Sequence, residues 1–461
     1  MVYIIGLFNL IISIKSITDP DYGWHISVGK YIFSNSIIPK TDIFSWYGEV
    51  NNLNFISHEW LSDLIMYLVG PIGMIAILSI FVTIFYLFLV KFLKVSKVFN
   101  LSNLIKILWL FLCVTSMCSF NHRPYLFSYL LFLIFITILF KYLDFNLNNF
   151  KLLYIIPILQ LLWVNLHGGS SSLIPLILIL SILYKLIFNK YFDKKLFLIF
   201  IFSILLSFIN PYSYKILIYP FINMGDNNMI NSISEWFSPN FHGLIGIYYF
   251  IIVVIPILVF VFSNKKKLNY FDLIVYFMFL FMMFRSVRFM HYYMFVSTYF
   301  VGKYVYGFKV LPMKLNMKLI KIFAYLIFSL MFLYLAINQL SSFSLYNYKY
   351  EYSDEAIEKL KELKPKHLFN DYNTGGYLTY KLYDDDIKIF INGIADIYSS
   401  NILIDSYNLE NLCEDPNEML LKYDFDVIII QRGLPLEWYL SERKDFHMYY
   451  SDDTSIIFVR I

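Results

Sequence analysis

The sequence predicts a polytopic α-helical membrane protein, with about eleven transmembrane helices and a small α/β soluble domain at its C-terminal end. Three observations carry that expectation. Hydrophobic residues make up 59% of the 461 and charged residues only 15%, with a mean hydropathy of +0.61. Apolar runs of about 17 to 25 residues recur from the start of the chain to about residue 340. After Leu340 the composition changes, and residues 345–461 hold twenty-two of the 33 acids. The division drawn from this is a transmembrane domain over residues 1–343, including a first loop at 18–60, and an α/β domain over 344–461.

The first run, Val2 to Ile17, is short for a span, and its Lys15 must snorkel to the interface. It has no basic leading segment and no Ala-x-Ala cleavage site. Further runs lie at 64–90, 104–120, 124–141, 152–165, 171–188, 196–209, 243–263, 269–284, 289–308 and 319–340. Lysines crowd alternate connections, among them Lys91 to Lys106, Lys185 to Lys195, Lys265 to Lys267 and Lys303 to Lys321. The opposite connections carry only Lys30, Lys40, Arg123, Lys215, Arg285 and Arg288. Positive charge stays inside, so the N-terminus is expected in the cytoplasm, with the 18–60 loop and the C-terminal domain outside the cell membrane.

In the C-terminal part, Asp354 to Leu363 reads as an amphipathic helix and His367 to Asn370 as a strand. Gly375-Gly376 breaks into a helix near Tyr377 to Tyr383. Ile387 to Ile391, Val427 to Ile430 and Ser455 to Arg460 read as strands. No basic, aromatic-interleaved patch suggests nucleic acid. The three cysteines, Cys113, Cys118 and Cys413, form no CxxC pair and read as packing residues.

The loop from Thr18 to Trp60 is a polar island among apolar runs, and ionisable groups at a bilayer edge are functional suspects. Asp21 and His25, four apart, share one face of an expected interfacial helix over Asp21 to Ser34, ended by Pro39 to Asp42. Ser57 offers an N-cap for a second helix from His58. Asp19 and Asp21 could hold a divalent cation (Mg or Mn) or divide into a base and a bystander; alternatively Asp19 simply caps a helix. His58 and Glu59 either orient a substrate or flank an interfacial Trp60.

Arg123 grips a phosphate or a lipid headgroup. His167, beside Gly168-Gly169, lies in a close-approach turn or an ordinary one, and Glu235-Trp236 closes a later loop. Arg285 and Arg288 share an expected helical face near His291 and suit a phosphate. Histidines of the membrane part (His25, His58, His122, His167, His242 and His291) all fall on the outer side, as a polar cavity opening outward would require.

The stretches D-P-D-x-x-W-H from Asp19, I-P-K-T-D-I-F-S from Ile38 and H-E-W from His58 resemble the C-type (GT-C) glycosyltransferase superfamily. The nearest likeness is to prokaryotic relatives of protein O-mannosyltransferases and lipid A aminoarabinose transferases. Later R-P, N-L-H-G-G, N-P-Y, E-W, R-x-x-R-F and G-G-Y-L stretches follow in the same order. The resemblance implies a multi-pass enzyme that takes a sugar from a polyprenyl-phosphate carrier on the outer face and passes it to a glycan, lipid or protein acceptor. It implies Asp21, or Asp19, as catalytic base. Arg123, Arg285 and Arg288 would then bind phosphate, and His25, His58, Glu59, His167 and Glu235 the sugar or acceptor. Relatives often carry F-I-D-G-R where this chain has Phe390-Ile391-Asn392-Gly393-Ile394. The other functions weighed are a flippase for lipid-linked sugars and a non-catalytic assembly protein of the same fold. Apolar mid-depths of the spans speak against the flippase.

Overall fold

The computed structural model describes residues 2–461 apart from 97–99, 146–150, 224–233, 264–267, 306–316, 342, 347–351, 395 and 399. Lys97, Lys265 to Lys267, Lys309 and Lys314, within the connections used above for orientation, lie outside the described residues. The chain is mostly helical and divides into two compact units. One comprises Met1–Ser16, Met74–Asn121 and Tyr125–Ser344; the other comprises Ile17–Gly73, His122–Pro124 and Leu345–Ile461. The polar loop therefore clusters with the C-terminal residues.

In the first unit, helices cover most of the apolar runs. Among the described residues, five helices are long and apolar enough to cross a bilayer: Trp60–Leu93, Leu101–Ser119, Tyr125–Asp144, Gly168–Phe188 and Gly243–Phe262. Other expected spans are shorter helices, such as Lys194–Leu206 (13 residues) and Tyr270–Arg285 (16 residues). The Met290–Tyr304 helix is buried on nearly every face and carries Ser297, Thr298 and several tyrosines, which lower its apolarity. The run at 64–90 is interrupted: Gly70 sits at φ +65°, a conformation that favours glycine, and Pro71 follows. The boundary between the units falls just beyond, after Gly73.

Several charged groups in this unit are paired. Lys303 pairs with Asp144 and, at 2.7 Å, with Asp272, while Lys185 pairs with Asp193 at 2.7 Å. Tyr142 also donates to Asp193, at 2.6 Å, so that buried carboxylate has two side-chain partners. The Lys15 ammonium donates to the Phe120 carbonyl (3.1 Å) and Asn121 Oδ1 (2.7 Å).

The second unit has a four-stranded sheet in the order β1-β2-β4-β3, formed by β1 (Leu368–Phe369), β2 (Val427–Gln431), β3 (Phe446–Ser451) and β4 (Ser455–Arg460). β1 and β2 are parallel and the other pairs antiparallel. Its core joins Trp24, Val28, Ile32, Phe44, Trp46 and Phe55 of the loop to Phe369, Phe390, Ile391, Phe425, Ile428 and Phe458. Burying such side chains away from water is the main stabilising term. Trp46 Nε1 adds a hydrogen bond to the Leu368 carbonyl at 2.9 Å.

Several local expectations change. The loop helix runs Asp21–Asn35 and ends when Ser36 turns left-handed (φ 55°), before Pro39 is reached. The next helix begins at Trp60, with the Ser57 carbonyl accepting from Trp60 N–H. Ile387–Ile391 does not join the sheet; Ile389 instead exchanges backbone bonds with Phe44 and Trp46 of the loop. β3 was not expected, because its exposed His447, Met448 and Tyr449 give no alternating pattern.

The helix expected to follow Gly375-Gly376, near Tyr377 to Tyr383, begins earlier and includes both glycines, running Tyr372–Leu382. The cause is a backbone-to-backbone crossing. A Cβ on Gly23 would stand 2.2 Å from the Gly376 carbonyl oxygen, and one on Gly376 would stand 2.3 Å from that of Pro20. No side chain fits at either place. Gly376→Ala is expected to destabilise the chain by about 3 kcal/mol or more, measured as a fall in melting temperature; an unchanged melting temperature contradicts the crossing.

Burial and the neighbouring Asp371 carboxylate push Glu410 up from 4.5 to about 7. A raised acid binds its proton more tightly when folded, so its stabilisation is complete below about 4.5 and is lost as pH rises through about 7. Glu410→Gln is therefore expected to flatten the melting profile across that window. The difference should be on the order of 1–2 kcal/mol after allowance for partial exposure.

Candidate functional site

Within the second unit, the beginning of the Asp21–Asn35 helix meets the short segment His122–Pro124. Arg123 is the centre of that meeting. Its Nε and Nη2 donate to the two oxygens of Asp19 at 2.5 and 2.8 Å, and Nη2 also reaches Asp21 Oδ2 at 2.7 Å. Asp19 is 3% exposed, whereas the Asp21 side chain retains 19% exposure. Asp19 further accepts the Asp21 N–H at 3.1 Å, so it does the work of a cap although Pro20 occupies the cap position. The bidentate geometry fixes Asp19 and leaves Asp21 as the more accessible acid.

Asn392-Gly393 packs beside this group. A Cβ on Gly393 would fall 1.8 Å from Asp21 Oδ1 and 3.1 Å from Trp24 Nε1. The stretch that departs from F-I-D-G-R thus adjoins the first-loop acid, and its glycine makes room for that carboxylate.

One turn along the same helix stands a second cluster. His25 Nδ1 lies 2.6 Å from Asp63 Oδ1 and 3.8 Å from Glu59 Oε2, and all three residues are buried. Gly29 lets the Trp60 helix come this close: a Cβ there would stand 2.1 Å from the Asp63 carbonyl oxygen. The His25 ring lies over the Trp24 indole, with centroids 3.6 Å apart. Burial alone would lower the His25 pKa; the charge and hydrogen bond of Asp63, then Glu59 and Asp21, outweigh it and hold it above the ordinary value. His58 Nε2 stands 3.7 Å from Glu59 Oε1. The donor atoms of His25, Glu59 and Asp63 lie within 4.8 Å of one another, close enough to share a cation.

The remaining expected residues belong to the membrane unit. His167 is buried, with Nδ1 at 2.6 Å from Ser128 Oγ and 2.9 Å from Ser170 Oγ. The Glu235 carbonyl accepts from Ser286 Oγ at 3.0 Å, and the Arg288 guanidinium covers the Trp236 ring at 5.2 Å. Arg285 and Arg288 do not share a helical face: the helix ends at Arg285, Ser286 is extended, and Arg288 lies in the following 3-10 turn. Arg285 is exposed and forms no ion pair among the described residues.

Asp63 is the residue that the sequence argument passed over as a site member. The available signal was an acid one turn after Glu59, at the start of an apolar run, where an unpaired carboxylate is costly. No protein-family model matches the chain, and comparison with curated protein sequences gives no match.

Removing the guanidinium strands a buried carboxylate. Arg123→Gln is expected to destabilise the chain by about 3–5 kcal/mol, and adding Asp19→Asn should recover part of that loss. Denaturation of the three variants measures it; an Arg123→Gln chain as stable as the unmodified one contradicts a structural role for the bridge.

Proposed function

We propose that the chain is a membrane glycosyltransferase that moves a sugar from a polyprenyl-phosphate carrier to a hydroxyl acceptor on the extracytoplasmic face. The observation that carries this reading is the position of Asp21: a partly exposed carboxylate, oriented by Arg123, at the opening of a loop whose motifs resemble those of C-type glycosyltransferases. In the proposed step, the acceptor oxygen attacks the anomeric carbon and its proton passes to Asp21. The bond from that carbon to the phosphate oxygen breaks, and the carrier phosphate leaves with the electron pair. Asp19 serves as the fixed partner of Arg123, and His25, His58 and Glu59 bind or support sugar and acceptor. No step requires a metal.

The reading includes about eleven spans, a cytoplasmic N-terminus and an extracytoplasmic Leu345–Ile461 region. Support comes from Asp144, Asp193 and Asp272, the acids of the lysine-rich connections, each of which pairs with a lysine assigned to the same side. In a background without native cysteines, a cysteine at Asp385 should react with an impermeant maleimide in intact cells and one at Lys190 should not. The opposite pattern inverts the topology.

Purified protein supplied with a labelled polyprenyl-phosphate sugar and a mixture of cell-envelope acceptors tests the chemistry. Asp21→Asn is expected to lower transfer by about 100-fold or more. Undiminished transfer removes Asp21 from the step. Movement of sugar-lipid across liposomes without any glycosidic product replaces the transferase reading with the flippase one.

A further inference from the structure

We propose that His25, Glu59 and Asp63 form a binding site for one divalent transition-metal ion of the zinc or manganese class. The sequence had pointed any cation to Asp19 and Asp21. Both of those carboxylates are bonded to Arg123, a cation already in place. The second cluster offers what the first does not: one imidazole nitrogen and two carboxylates, drawn from a helix, a loop and the start of another helix.

Charge is the first argument. His25, Glu59 and Asp63 are 2%, 8% and 0% exposed. Two carboxylates at this depth are costly to keep together. A divalent ion offsets both and takes the imidazole in its neutral form, as a metal ligand must be.

The second argument is an unmet valence. Asp63 Oδ1 faces His25, but Asp63 Oδ2 is buried and accepts no hydrogen bond among the described residues. Buried carboxylate oxygens without a donor are rare in folded chains. A metal ion is a partner that needs no donor proton.

Geometry is the third. An ion about 2.1 Å from each donor sets donor separations of about 3 to 4 Å. The His25–Glu59 pair at 3.8 Å already meets that spacing. The His25–Asp63 pair at 2.6 Å must part by less than about 1 Å, exchanging a hydrogen bond for two metal bonds. One nitrogen with two carboxylates favours zinc or manganese over magnesium or calcium, which take oxygen alone. Three protein donors also leave a coordination position open. The Trp24 ring against His25 limits the freedom of the imidazole, as a ligand position requires. The inference goes beyond the transferase reading and rests on the geometry of this unit alone.

Cobalt tests it in the full chain, purified in detergent without a histidine tag and stripped with a chelator. Added cobalt should bind at about one ion per chain, give visible bands of low-coordination character and be displaced by zinc. His25→Gln and Asp63→Asn should each weaken binding by about 100-fold or more, while the exposed His447→Gln leaves it unchanged. Should a variant fail to fold, the unmodified chain still decides: zinc should raise its melting temperature in a concentration-dependent way. Less than about a tenth of an ion retained after desalting, binding unchanged in His25→Gln, or no shift in melting with zinc each overturns the site. Metal bound without detectable sugar transfer leaves the site standing and counts against the transferase reading alone. Transfer by a chain that takes up no metal when zinc or cobalt is offered does the reverse.

Discussion

The guanidinium of Arg123, shared between Asp19 and Asp21, is the interaction on which the second unit depends. Three residues of a connection otherwise flanked by membrane-unit helices, His122–Pro124, cluster with this unit. Arg123 supplies the charge that permits Asp19 to be buried. Asp19 takes two N–H groups of the guanidinium and Asp21 meets only the Nη2 nitrogen, so the two acids become unequal although they stand two residues apart. One is sealed and the other stays in reach of solvent. That inequality turns a short acidic motif into a fixed partner and an available group.

The close crossing of the Asp21–Asn35 and Tyr372–Leu382 helices extends the same constraint. With glycine at 23 and 376, the backbones touch, and the first turn of the loop helix is set against the Leu345–Ile461 region. Ile389 binds the loop backbone at Phe44 and Trp46, and Trp46 reaches Leu368. The loop is thus folded by contacts hundreds of residues away in sequence. Its polar residues are rigid because an aromatic core lies behind them, with Trp46, Phe390 and Phe425 at its centre.

Much of this was legible in the sequence. The five helices long and apolar enough to cross a bilayer, the amphipathic helix at Asp354–Leu363 and the strands at 427 and 455 follow from periodicity and composition. So does the helix over Asp21–Asn35, with Asp21 and His25 one turn apart. What escaped depends on tertiary partners. Gly375-Gly376 reads as the lead-in to a helix until a second backbone is found against it, and Ile387–Ile391 reads as a sheet strand until the loop offers its own carbonyl. Asp63 was hidden by the apolar run that it opens, and only the fold shows it facing His25 across 38 residues of sequence. Arg285 and Arg288 were placed on one face by spacing, but Ser286 interrupts the helix between them.

The account centres on Asp21 as the group that meets the substrate. A structure of the chain with an intact polyprenyl-phosphate sugar bound tests this most directly. The account predicts the sugar against the outer loop, with the attacking position within about 3 Å of an Asp21 oxygen and Arg123 still held by Asp19. A sugar bound elsewhere, with Asp21 out of reach of its anomeric centre, contradicts it.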